Sequence, residues 1–308
     1  MRLLLAAAML LPAFAQEDAP LPPSVLDSRL ADVREKLSET ALGRKVLEAI
    51  KAVPVREDKR MWDRYIARYV NDRPGEQPYI GLRAQAWSEL SERKLEFVLL
   101  HEGTHAALDL PCELFEGEQL AFQRELEYAL QKAAVDKAFD RDLRELFAEY
   151  ARLEGTRRTL TADPKLDEDG LEWKRYERDS NALMARASRD HLARVASELV
   201  LFKNAPGDFY WRVEQNYRDS PHYVGLQEVA DFLDKYKDRI DEIAASPREG
   251  VYFRVGGRRY RWALVLHSRD VLKRGGVDAL KARLEDFDGE GAKRLQEAIA
   301  SWEKKGQP

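Results

Sequence analysis

The pentapeptide His101-Glu102-Gly103-Thr104-His105 constrains this chain more than any other stretch. It sits inside the run from Ser88 to Ala121, where Leu95, Val98, Leu99 and Ala106 recur at helical spacing. A helix turns about 100° per residue, so positions 101 and 105 differ by roughly 40° in azimuth and about 6 Å in height. Both imidazoles can therefore reach one ion. Glu102 follows the first of them and points slightly away, where a carboxylate can hold and deprotonate a water at that ion. Ser88 or Ser91 can cap the helix at its start, and Pro111 ends it near Leu110.

Two histidines leave a catalytic zinc site one protein ligand short, because such sites carry three and keep one position for water. A third histidine six positions after His105, behind a glycine, is excluded because Leu108 and Pro111 occupy those places. His191, His222 and His267 lie too far along the chain for spacing to assign them. The next helix, beginning near Phe115 or Glu116, offers Glu113, Glu116 and Glu118. Only Glu118 begins a Glu-x-x-Ala unit, and Ala121 one turn later would let that helix pack closely on the first. Glu118 is the favoured ligand, with Glu116 and then Glu113 as alternatives; acidic residues here also stabilise a helix start through its dipole. If the site is catalytic, Glu118 should come within about 4 Å of both histidines. Asp109 would stand about 12 Å along the axis from His101 and is expected in a supporting or capping role.

His101 to Asp109 followed by Glu118-Gln119-Leu120-Ala121 resembles the gluzincins, the thermolysin-like superfamily of zinc metallopeptidases. The resemblance covers about 30 residues, and the spacing from His105 to Glu118 is shorter than in thermolysin itself. It implies His101, His105 and Glu118 as ligands of one Zn2+ per chain and Glu102 as general base. Peptide hydrolysis also develops an oxyanion that needs a donor; His222 and Tyr223 are the candidates, with Tyr210 behind them.

Composition fits a helix-rich protein with a real core: 44% hydrophobic, 34% charged, 17 glycines in 308 residues. Residues 1–15, with Arg2, the apolar run Leu3 to Leu11 and Ala13-Phe14-Ala15, read as a signal peptide. The expected protein is exported, periplasmic or secreted, with cleavage near Ala15. No later run approaches the roughly 20 apolar residues of a membrane span. A net charge of −4, or −5 once Arg2 is removed, argues against nucleic acid as a partner. Cys112, the single cysteine, is expected to be buried and cannot form an internal disulfide.

The expected fold is mainly α with a small β component, α+β, built on a zincin-like helix pair. Residues 16–24 form an extended leader, 25–160 the core with the motif helix, and 161–308 a helical C-terminal part, as one domain or two. Apolar spacing predicts helices over Val25–Ile50, with an interruption at Gly43, Asp58–Val70, Phe115–Phe139, Asp140–Arg158, Leu171–Asn204, as one helix or two, and Leu226–Ala245, and in the tail beyond Val271. Tyr79–Arg83 is the candidate strand before the motif, whose edge could align an extended peptide. Two alternating runs around Gly256-Gly257 predict a hairpin within 251–266.

The function these features imply is hydrolysis of a peptide or protein substrate by metal-activated water. Two other classes share the features: a helical cell-envelope interaction protein with a structural zinc, against which Glu102 speaks, and a zinc hydrolase of non-peptide amide bonds. Oligomeric state is not encoded in these signals.

Overall fold

The computed structural model describes residues 23–61, 65–71, 75–84, 86–109, 113–162, 170–187, 189–273, 282 and 289–306. The stretch 1–15 that the sequence suggests is a signal peptide, most of the expected leader, Trp62, Pro111, Cys112 and the segment 163–169 lie outside them. The chain is mainly helical with two small sheets, as the sequence predicts.

Helix α1 (Pro23–Ser38) and helix α2 (Ala41–Ala49) divide the stretch where a helix interrupted at Gly43 is expected. The break falls before Gly43, not at it, because the Thr40 side chain accepts from the Gly43 N–H at 2.9 Å and starts a new helix. Next come β1 (Val55–Glu57), β2 (Ala67–Val70) and β3 (Tyr79–Leu82), in sheet order β1-β3-β2. β3 runs parallel to β1, with Val55 opposite Ile80, and antiparallel to β2, with Tyr69 opposite Ile80. The helix predicted over Asp58–Val70 is thus incorrect at its C-terminal end, which is strand β2. Its aromatic stripe at three-and-four spacing is also a run of strand-favouring Tyr, Ile and Val, and pairing with β3 decides the outcome.

After the short helix α3 (Ala86–Glu89), helix α4 (Glu92–Leu108) carries the motif and helix α5 (Phe115–Val135) returns beside it. Helices α6 (Lys137–Ala162), α8 (His191–Asn204) and α9 (Pro206–Arg218) pack on α5, and α7 (Leu171–Ala187) packs on α6 and α8. Asp190 divides the 171–204 segment by accepting from the N–H of Leu192 at 2.9 Å. Helices α10 (Leu226–Tyr236) and α11 (Ile240–Ala244), strands β4 (Tyr252–Val255) and β5 (Arg258–Arg261), and helices α12 (Trp262–Lys273) and α13 (Glu290–Gly306) complete the fold. The hairpin turns on Gly256 and Gly257, with φ of 54° and 78°, both in the region a type I′ turn requires. Its second strand stops at Arg261, so the predicted run to Leu266 becomes the first turn of α12.

Two apolar clusters hold these elements. The first takes residues from α1, α2, the three-stranded sheet, α4, the later part of α5, α6, α8 and α9, so it reaches across the segment at 161–170. The second gathers Leu108, Leu114 and Leu120 with α10, the hairpin, α12 and α13. Helices α4 and α5 belong to both, and the motif lies where they pass from one to the other. Each large buried side chain contributes about 1.5–3 kcal/mol, so the helix pair is pinned from two sides. Among the described residues no helix is long and apolar enough to cross a membrane.

Candidate metal centre

Helix α4 begins at Ser91, whose hydroxyl accepts from the Lys94 N–H at 3.2 Å, and ends at Leu108, two residues before the expected stop. Asp109 closes it in the left-handed region at φ 49°, a conformation that Asp tolerates better than most residues. Its carboxylate accepts from the Tyr69 hydroxyl at 2.9 Å, which ties the end of α4 to β2. Gly103 answers a steric demand. A Cβ at that position would stand 2.5 Å from Val46 Cγ1 of α2, so the motif helix can be backed by α2 only where the side chain is absent.

The three glutamates near the start of α5 have three different partners. Glu113 pairs with the Arg68 guanidinium at 2.6 Å. Glu116 accepts from the Leu226 N–H at 3.0 and 3.1 Å, capping α10. Glu118 alone turns to the histidines, with its carboxylate 3.3 Å from His101 Nε2 and 3.7 Å from His105 Nε2. The two Nε2 atoms are 3.3 Å apart.

These separations can be tested against an ion. Nitrogen and oxygen donors about 2 Å from a tetrahedral metal stand roughly 3.3 Å from one another. The buried His101, His105 and Glu118 group fits that spacing and could hold a metal ion; its three donor atoms lie within 4.8 Å of one another. The tautomer of His101 fits as well. Its Nδ1 lies 2.8 Å from Glu125 Oε1, and donation there leaves the Nε2 lone pair bare for a metal. Glu125 stands two turns after Glu118 on the same face of α5, and it is held in turn by Arg194 and by His191 Nε2 at 3.2 Å. Sequence reasoning missed this carboxylate, although the seven-residue spacing contained the signal.

Glu102 lies beside the donors. Its Oε2 accepts from the Tyr69 N–H of β2 at 2.7 Å. That backbone amide points away from β3 because β2 is an edge strand among the described residues. The Ile66 carbonyl faces β3, accepting from the Arg83 N–H at 2.9 Å, while Tyr69 N–H faces outward, and strand alternation turns the backbone of Ala67 outward too. The strand predicted at Tyr79–Arg83 exists as β3, but both its edges are paired, so the free edge belongs to β2.

His101, Glu118 and Glu102 line an open cleft of about 490 Å³ between this edge on one side and the start of α8 on the other, with His105 buried behind them. Tyr223 and Tyr217 also line it, whereas His222 is not among the lining residues. A backbone bridge delivers Tyr223: Phe115 N–H donates to Val224 O at 3.1 Å and Val224 N–H to Glu113 O at 3.0 Å, stitching the 223–225 segment to the start of α5. The Tyr223 hydroxyl then donates to Glu118 Oε1 at 3.2 Å, and Tyr217 stacks on its ring at a centroid distance of 4.3 Å. Tyr210 faces elsewhere, donating to Gln123 Oε1 at 2.7 Å.

Burial dominates the electrostatics. It pushes Glu102 up to about 7, against the neighbouring His101. It pushes His105 down to about 4, which keeps that ring neutral and its lone pair available. Burial also works against the charged forms of Glu118 and His101, but their mutual hydrogen bond prevails, holding Glu118 low and, with Glu125, His101 high. A cation is thus favoured at the point where His101 Nε2 meets Glu118. Compared with known proteins, the chain matches no family model, no curated protein and no solved structure.

Proposed function

We propose that the chain is an exported, single-zinc metallopeptidase of gluzincin type. His101, His105 and Glu118 hold one zinc ion and Glu102 acts as general base. The observation that carries this reading is the meeting of three donors at metal-ligand spacing, two of them, His101 and Glu118, lining an open cleft beside the Glu102 carboxylate. A structural zinc site is closed by a fourth protein ligand, and among the described residues the group has three.

A zinc ion at this position supplies Lewis acidity to the scissile carbonyl and makes water there a stronger acid. The remaining work falls to the chain. Glu102 takes the proton from the attacking water and passes it to the leaving amine, and a carboxylate lifted to about 7 exchanges protons readily near neutrality. The Tyr69 N–H aims that carboxylate. The outward backbone of Ala67 can pair with an extended peptide, fixing the scissile bond over the donors. Tyr223 and Tyr217 carry hydroxyls beside Glu118, from where one can donate to the developing oxyanion. Export follows from residues 1–15.

Protein purified without chelators should contain about one zinc per chain by elemental analysis, and His101→Ala should lose it. Glu102→Gln should keep the metal and lose peptide hydrolysis by about 10²–10⁴-fold, the usual weight of a general base. Wild-type protein without stoichiometric metal would overturn the reading.

A further inference from the structure

Besides His101, Glu118 and Glu102, the cleft is lined by four basic side chains, Arg68, Lys94, Arg189 and Arg194. Arg68 and Arg194 both line it, but each is neutralised, Arg68 by Glu113 and Arg194 by Glu125 and Glu198. Lys94 and Arg189 line it too, and among the described residues neither meets a carboxylate. Arg189 donates only its Nε, to the Ala185 carbonyl at 3.0 Å, which leaves the guanidinium charge uncompensated. Lys94 sits in the first turn of α4, where the positive end of the helix dipole disfavours a cation.

Along α4 the residues facing the cleft run Lys94, Val98, His101, Glu102. The seven residues from 94 to 101 span about 10 Å. An extended peptide advances about 3.3 Å per residue, so the ammonium stands within about three residues of the bond over the donors. We infer that Lys94 and Arg189 form a carboxylate-recognition subsite, so that this cleft selects peptides bearing a negative charge one to three residues from the scissile bond. The inference rests on the peptidase reading above and adds its substrate class. The charge can be an acidic side chain or the peptide's own C-terminal carboxylate, because the same two cations recognise both.

The test uses N-blocked pentapeptides of one alanine-rich sequence in four forms, with Glu or Gln next to last and a free or amidated C-terminus. Turnover is measured with zinc-loaded wild-type protein, and binding by fluorescence anisotropy with the Glu102→Gln protein, which needs no catalysis. The charged peptides should be favoured about tenfold in both assays, the scale of a charge-assisted hydrogen bond in an open site. The preference should fall to about one in K94A/R189A and reverse toward a Lys-containing peptide in K94E/R189E. Loss of preference on amidation assigns the terminal carboxylate, and loss on Glu to Gln exchange assigns the side chain. Equal handling of charged and neutral peptides by wild-type protein overturns the subsite while leaving the peptidase reading intact. Charge preference in binding without cleavage of any peptide keeps the subsite and sinks the peptidase reading.

Discussion

His101 and His105 belong to one motif, one helix and one candidate ion, yet the protein secures them by different means. His101 is held by a polar chain. Its Nδ1 meets Glu125, which is itself fixed by Arg194 and His191 from α8, more than 60 residues away in sequence. His105 has no such support: it is 1% exposed, and its Nδ1 is buried without a hydrogen-bond partner. Packing alone fixes that ring, between the turn of α4 and the start of α5. One imidazole is oriented by charge and the other by shape, so the two should respond to different substitutions.

The largest effect is expected where charge does the orienting. Glu125→Gln leaves the size of the side chain unchanged but removes the negative charge that polarises His101, and it leaves Arg194 with Glu198 as its remaining carboxylate. Zinc affinity, measured by competition with a fluorescent chelator, should fall between tenfold and a hundredfold, the usual consequence of losing such a carboxylate. An unchanged affinity would mean that His101 is held by packing as His105 is, and the contrast between them would disappear.

The second effect concerns the rear of the motif helix. Gly103→Ala would normally gain helix propensity, but its Cβ would lie 2.5 Å from Val46 Cγ1, and Val46 has no long flexible end to swing away. Net destabilisation of about 1–3 kcal/mol is expected from forcing α2 and α4 apart, read as a lower urea midpoint at unchanged slope. A neutral result would show that α2 is free to shift, and that the motif accepts other small residues at its third position.

The sequence made the α4 and α5 pair legible because helical spacing, the Ser91 cap and a metal-ligand pattern all agreed on it. Local rules favoured Glu118 through its Glu-x-x-Ala unit but left Glu116 and Glu113 as alternatives, since all three suit a helix start. Their separation is tertiary: Arg68 on β2 engages one, and the amide of Leu226 more than a hundred residues later engages another. Strand β2 was misread because Tyr65, Ile66 and Tyr69 satisfy a helix stripe and a strand equally, and only the presence of β3 decides between them. The donors from afar, Tyr217 and Tyr223, had no local signature beyond aromatic density. Tyr223 is placed by the backbone bridge between Leu114 and Val224, and Tyr217 by helix α9.

The smallest effect tests the shape-held histidine directly. Gly117 of α5 faces the His105 ring, and a Cβ there would stand 3.6 Å from Cε1 and 3.7 Å from Nδ1, ordinary contact distances. The backbone at Gly117 has no positive φ. Gly117→Ala should therefore fill space without pushing the ring, and by restricting the unfolded chain it should stabilise the protein by about 0.5 kcal/mol. Zinc affinity should stay within about twofold, because the methyl group adds to the packing that already orients His105. A stabilised protein with unchanged metal binding would establish that shape is enough for this ligand. A clear loss of zinc from the same variant would show that the space over Gly117 is needed by a group bonded to Nδ1, and His105 would then be supported by polarity, as His101 is.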